Sequence, residues 1–478
     1  MTVGSQILIS PPSFRIRPSF AVVPDLQSEY IYNKQLMRNY TNKHIWNVSY
    51  PIIIGLLAQN IINVTDTAFL GRVGEVELGA SAMGGIFYIC LFTIFFGFSS
   101  GAQIIIGRRN GEKNYKDIGP VMVQGFFFLM ILAIILFGLS WLYVGDIMRF
   151  IISSEAVWEA TTSFLKWRII GFFFIVFNVM FRAFFIGTTK TKILTINAFV
   201  MAITNVGLDY VLIFGKFGLP ELGIKGAAIA SVISEGASTL FFIIFMLTKI
   251  DYKKYGFKLF KTINFNLLKN VLEISIYTMF QYFISMGTFF LFFVIIERQG
   301  EHSLAIANIV RSIYIVMFIP LNALSATSNT LVSNIIGEGK IKEVMPLIYR
   351  ISRLSLVIML VYVALLCLFP QLVLSVYTND ITLINESVQS IYVISIALII
   401  SSIANVFFNS ISGTGNTKSA LILEMGVLVV YTIFIYIIGI HYKLPVHICF
   451  SAEILYFTGI FIGSTLYLRY ANWQKKKI

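Results

Sequence analysis

Asp66 and Asp209 are the two aspartates that fall inside apolar runs in the first half of this chain. Asp66 lies in the phrase IINVTDTAFLG, and Asp209 lies in TNVGLDYVLIFG, four residues after Asn205. A spacing of four puts Asn205 and Asp209 on one helical face. Gly207 between them lets a second helix approach closely. An ionisable residue at membrane depth costs about 2.5–3.5 kcal/mol on insertion scales, so each acid is a functional candidate. Both precede outer loops, at Gly71 and Arg72 and at Phe217 to Gly223, so they are predicted to lie at similar depth and to share one pocket. Two carboxylates in one pocket cannot both ionise cheaply, which suits the pair to hold a proton and release it on hydration. With Asn205 and backbone oxygens they also suit Na⁺, which takes oxygen ligands. Pro51 stands fifteen residues before Asp66 in the same run. It removes a backbone hydrogen bond and is predicted to bend that helix, unless it marks the helix start.

Other polar residues in apolar runs have lesser claims. Arg311, Asn308, Gln281 and Asn178 are candidates to line a cavity, while Glu235, Glu424 and Glu453 are structural partners or cavity acids. Glu273, and His44 beside Trp46, suit the membrane interface. Arg182, Lys190 and Lys192 suit an anchor for one end of the fourth helix. Cys90, Cys367 and Cys449 lie in apolar runs without metal-ligand spacing, and no His-Glu-X-X-His phrase occurs. No metal site is expected beyond Na⁺ at Asp66, Asn205 and Asp209. No cofactor is expected, and no enzyme signature is present. Without a Gly-rich phosphate loop, an H⁺ or Na⁺ gradient is the expected energy source. One proton crossing about 100 mV supplies about 2.3 kcal/mol.

These residues need a membrane scaffold to position them. Mean hydropathy is +0.82 and 57% of residues are hydrophobic, above the roughly 45–50% of soluble proteins. Apolar runs of about 20 residues or more recur along the chain, each able to cross a bilayer as a helix. Twelve are expected, giving an all-α integral membrane protein. The net charge of +13 follows the positive-inside pattern. About 23 Lys and Arg fall on one set of alternating loops and tails and about 6 on the other, which predicts cytoplasmic termini and argues against nucleic acid.

The chain also repeats. GEVELGASAM begins at Gly74 and GEHSLAIANI at Gly300; GEKNYKD begins at Gly111 and GEGKIKE at Gly337; GTTKTK begins at Gly187 and GTGNTK at Gly413. The offset is constant: 300 − 74, 337 − 111 and 413 − 187 each give 226. The expected organisation is a polar tail over 1–43, a lobe over 44–248, a basic surface linker over 249–265, a second lobe over 266–468 and a basic tail over 469–478. The tail reads as disordered or as preceding a true start at Met37. Six spans per lobe predict a pseudo-twofold axis along the membrane normal and a cavity between the lobes. The same offset maps Asp66 to Phe292 and Asp209 to Ile435, so the fold repeats while its buried aspartates do not.

Pro51 with VTDTAFLGRVG, the phrase NVGLDYVLIFGKFGLPELGIKGAAIASVIS, and the GTTKTK and GTGNTK turns together resemble the multidrug and toxic compound extrusion (MATE) family, from about residue 44 to 468. The resemblance is nearest to the DNA-damage-inducible-protein-F-like branch. It implies a V-shaped pair of six-helix lobes and export of small, cationic, amphiphilic organic compounds in exchange for H⁺ or Na⁺. It also implies a cation site in the first lobe at Asp66, Asn205 and Asp209, with Ser231 as the sixth-helix hydroxyl. The chain departs from other branches, which place a Glu in the seventh helix and an Asp in the tenth. Here those helices offer Ser285, Asn405 and Asn409, which puts a cation site in the second lobe in doubt. A monomer in the inner membrane is expected. The competing reading is a flippase for lipid-linked precursors of the same superfamily, which predicts a basic central cavity.

Overall fold

Twelve helices among the described residues are long and apolar enough to cross a membrane, and no strand is present among them. The computed structural model describes residues 40–257, 263–378 and 380–475, so most of the expected polar tail lies outside the described residues. The helices are α1 Asn42–Val73, α2 Glu75–Gly111, α3 Tyr115–Ile151, α4 Glu155–Gly187, α5 Lys192–Ile213 and α6 Ile224–Lys249 in the first half. The second half contains α7 Phe265–Glu297, α8 Glu301–Gly337, α9 Ile341–Leu368, α10 Ile381–Gly413, α11 Thr417–His441 and α12 Val446–Tyr470. Side chains cap several of them: Thr41 accepts from the backbone N–H of His44, and Asn264 from that of Leu267. Large apolar side chains such as Ile134, Leu142 and Phe150 on α3 face outward, as a lipid-facing surface requires. α3 runs further than the apolar pattern predicts, so Asp146 falls within it, exposed near its end.

The repeat seen in sequence sets the helix boundaries. α2 and α8 both have 37 residues, and their starts differ by 301 − 75 = 226. α4 and α10 end at Gly187 and Gly413, again 226 apart (413 − 187). Within each half the long helices pack on one another: α1 on α5, α5 on α6 and α2 on α4, then α8 on α10, α9 on α10 and α10 on α12.

The halves meet where α2 lies against α7 and α8, with α1 also against α8. Near the basic loops this contact is symmetric. Gly111 faces the backbone carbonyl of Asn334, while Gly337 faces that of Arg108. Both pairs are related by the repeat, since 111 + 226 = 337 and 108 + 226 = 334. A pseudo-twofold axis therefore passes between these helix ends, where a side chain larger than glycine would strike backbone.

Polar contacts close the same end. Gln103 Nε2 donates to Thr330 Oγ1 at 2.8 Å, Asn110 Nδ2 to Asn334 Oδ1 at 2.6 Å, and Ser333 Oγ to the Ile104 carbonyl at 2.6 Å. Just before α1, Tyr40 OH donates to Glu338 Oε1 at 2.7 Å, and Arg350 donates to the Tyr40 carbonyl at 2.8 Å. Burial, then the Glu338 carboxylate, pushes the Tyr40 phenol well above the usual tyrosine range.

The linker differs from the expected surface strip. Asp251 caps a short helix, Tyr252–Tyr255, and Tyr255 is only 2% exposed. Gly256 has φ +65° and presses against the Lys116 carbonyl, so the start of the linker docks on the head of α3. An aromatic residue gains more by filling that hollow than by lying at the interface. Residues 258–262 of the linker lie outside the described residues.

Candidate functional site

Three helices of the first half build the pocket. α1 brings Asp66, α5 brings Asn205 and Asp209, and α6 brings Ser231. Asn205 and Asp209 are 0% exposed and Ser231 is 8% exposed, while Asp66 is half-buried. The amide of Asn205 is oriented by its neighbours: its nitrogen donates to Asp66 Oδ1 at 3.1 Å and to Asp209 Oδ2 at 3.2 Å. Its oxygen then faces the Ser231 hydroxyl at 3.5 Å. The two carboxyl groups are thus bridged by one amide. Asp209 Oδ1 is buried without a hydrogen-bond partner. A buried oxygen left unsatisfied is costly, and a proton or a small cation is what such an oxygen lacks.

Pro51 sits nine residues inside α1, since Thr41 is the N-cap, so it is not a helix start. It frees the carbonyl of Asn47, one turn earlier. The hydroxyl of Thr191, at the head of α5, lies 3.4 Å from that oxygen as its donor, and Thr195 Oγ1 lies 3.5 Å from the Pro51 carbonyl. The helix carrying Asp66 is thus tied at its proline to the helix carrying Asp209.

A second charged group next to this pocket escaped the sequence reading. Arg168 Nη2 pairs with Glu235 Oε1 at 2.6 Å, with side chains 13% and 7% exposed. Arg168 Nη1 donates to Tyr88 OH at 2.7 Å and its guanidinium stacks on the Tyr88 ring at 3.7 Å. Its charge also acts on Asp66. The sequence offers Glu235 as a structural partner or cavity acid, whereas Arg168 and Tyr88 are not among its candidates. The available signal was an arginine in the fourth apolar run at the depth of a glutamate in the sixth.

The remaining predicted residues scatter. A cavity of about 350 Å³ lies between the halves, and Gln281 lines it. Arg311, Asn308 and Asn178 are not among the residues lining this cavity. Asn178 instead accepts from Ser238 and Thr239 and donates to the Glu235 carbonyl at 3.1 Å, so it knits α4 to α6. Arg311 lies over the Phe293 ring at 5.0 Å, and the side chain of Ser312 donates to the Asn308 carbonyl within α8.

The second half is not devoid of acids at the cavity. Ser285, Asn405 and Asn409 line it, as do Glu424 of α11 and Glu453 of α12. Ser285 Oγ donates to Glu424 Oε1 at 2.6 Å, Tyr456 OH to the same oxygen at 2.9 Å, and Tyr431 OH to Glu453 Oε1 at 3.0 Å. Arg182, expected to be an end anchor, also lines the cavity and lies over the Phe96 ring at 4.8 Å. Among the described residues no group of three or more His, Cys, Asp or Glu is placed to hold a metal.

The MatE family model matches residues 51–211 and 278–437, one block in each half. "Probable multidrug resistance protein NorM" of Thermotoga maritima is 25% identical over 334 residues, covering 69% of this chain and 70% of the relative. The protein of that name from Idiomarina loihiensis is 29% identical over 208 residues, and there the chain spans 44% of the relative's length. Among solved structures, an outward-facing multidrug resistance MATE transporter of the MOP superfamily superposes with a TM-score of 0.81 at 17% identity, covering 91% of this chain and 97% of that one. A eukaryotic MATE transporter gives 0.79 at 19% identity, covering 91% and 96%. At these identities the superpositions speak for the fold.

Proposed function

The chain belongs to the MatE family, and on that premise we propose that it is a secondary active antiporter exporting organic, cationic amphiphilic compounds in exchange for H⁺ or Na⁺. The protein is a multi-pass membrane protein, and its loop charges favour the plasma (inner) membrane with both termini cytoplasmic. One observation carries the coupling assignment: Asp66 and Asp209 share the amide of Asn205 in a buried pocket, and Asp209 Oδ1 has no partner. Such a group binds a proton or Na⁺ when closed and releases it when water enters. Because the pocket straddles α1 and α5, its occupancy bears on how those helices pack. The names of the relatives, which speak of multidrug resistance, support an organic cargo.

A flippase for lipid-linked precursors requires a basic cavity to hold pyrophosphate. The cavity lining carries Glu424 and Glu453 against one arginine, Arg182, which favours the antiporter. The test is ethidium efflux from proteoliposomes under a pH or a Na⁺ gradient imposed separately. We expect one gradient alone to drive efflux and Asp66→Asn to abolish it while leaving the protein folded. Efflux by Asp66→Asn at the wild-type rate would remove the coupling role from this pocket.

A further inference from the structure

Two ammonium groups converge on one tyrosine ring at the basic end of the first half. Lys190, in the turn from α4 to α5, places Nζ 5.2 Å from the centre of the Tyr255 ring. Lys254, on the short linker helix, places Nζ 5.6 Å from the same centre and 4.4 Å from that of Tyr115. Tyr115 and Tyr255 meet edge to face at 6.0 Å, and Phe184 of α4 meets Tyr255 at 5.1 Å. With Gly256 against the Lys116 carbonyl, this cluster fixes the linker helix in place. The two exposed lysines therefore stand on a built platform and not on a free loop. Neither forms an ion pair among the described residues. The carboxylates of the neighbouring turns are engaged elsewhere: Asp251 accepts from the backbone N–H groups of Lys253 and Lys254, Asp117 accepts from Asn114, and Glu112 pairs with Arg109.

An aromatic face attracts a cation without cancelling its charge. Two like charges held on one ring are thus matched to an anion from outside the protein, and an ammonium is a strong donor to phosphate. The repeat offers no second copy of this platform: the offset of 226 maps Tyr115 to Ile341 and Lys190 to Asn416. A diffuse attraction of basic loops to the membrane surface needs no such arrangement. α6 ends at Lys249 and leads into the linker helix. On α6, Leu240, Ile244 and Leu247 are each more than half exposed, and their spacing puts them on one face. Acyl chains can lie along that track while their headgroup reaches the ammoniums, which a free anion would not exploit. A choline headgroup brings a positive charge of its own and fits the two lysines poorly. We propose that Lys190 and Lys254, seated on Tyr115 and Tyr255, bind the headgroup of an anionic phospholipid from the leaflet at the basic end. This goes beyond the antiporter reading and does not depend on it.

The test counts bound lipid by native mass spectrometry of the purified, delipidated full-length protein. It is titrated with dioleoylphosphatidylglycerol and, separately, with dioleoylphosphatidylcholine. We expect wild type to retain one phosphatidylglycerol about tenfold more tightly than phosphatidylcholine. Lys190→Gln with Lys254→Gln should erase that preference while keeping phosphatidylcholine binding, which serves as the folding control. Lys190→Arg with Lys254→Arg should keep most of the preference. The charge-matched control is Lys342→Gln with Lys418→Gln, two exposed lysines of the second half that form no ion pair among the described residues. It should leave the preference unchanged. Glycerol phosphate, the soluble headgroup, should not displace the lipid at equal concentration. Equal retention of the two lipids by wild type overturns the proposal, as does equal loss in the two glutamine pairs, which would mean diffuse charge attraction. Loss of the preference in the arginine pair also counts against it. Displacement by glycerol phosphate at equal concentration would assign the platform to a free phosphate and overturn the lipid assignment.

Discussion

At the scale of single residues, the chemistry depends on which buried polar atoms have partners. Asn205 is placed to bridge two carboxyl groups because an amide nitrogen has two hydrogens to give. Arg168 and Glu235 are the opposite case, a buried pair with each charge answered, and Tyr88 adds both a hydroxyl and a ring. Arg168→Ala should leave Glu235 buried without its countercharge, costing about 3–5 kcal/mol. A thermal melt of purified protein checks this, and Glu235→Gln added to that variant should recover much of the loss. Gly171→Ala should disturb the same network, because its added carbon would strike Glu235, Arg168 and Tyr88.

At the scale of elements, the proline of α1 and the threonine at the head of α5 act together. Thr191→Val removes the donor to the Asn47 carbonyl that Pro51 left free, and should cost about 1 kcal/mol. Pro51→Ala restores the intrahelical donor, so the same threonine change should cost little in that background. A double-mutant cycle on unfolding midpoints gives the coupling, and additive effects would show that the hydroxyl is not serving the proline. The sequence marked Pro51 as a helix-breaking residue, but the hydroxyl that serves the carbonyl it frees was invisible because Thr191 lies 144 residues from Asn47.

At the scale of the whole molecule, two repeats meet in a symmetric contact that closes the basic end. Gly111 and Gly337 occupy equivalent places in it. Gly111→Leu and Gly337→Leu should therefore have similar effects: each wedges α2 from α8 and opens that end. The readout is maleimide labelling of a cysteine introduced at Ser333, which we expect to rise several-fold in either variant. A large effect from one glycine and none from the other would argue against a shared axis.

The fixed offset of 226, twelve apolar runs and the alternating loop charges were legible directly in the chain, because lipid demands helices and repeats preserve spacing. Asp66, Asn205 and Asp209 were legible for a related reason: polar groups are rare in apolar runs, and helical spacing fixes which of them share a face. The sequence could not say which distant charges would meet. Arg168 and Glu235 are 67 residues apart yet paired, whereas Arg182 and Glu424 line one cavity and remain unpaired. Pattern assigns depth and helix face, but the rotation of each helix against its neighbours decides contact. That rotation is set by side-chain packing across the whole bundle, which only the tertiary structure contains.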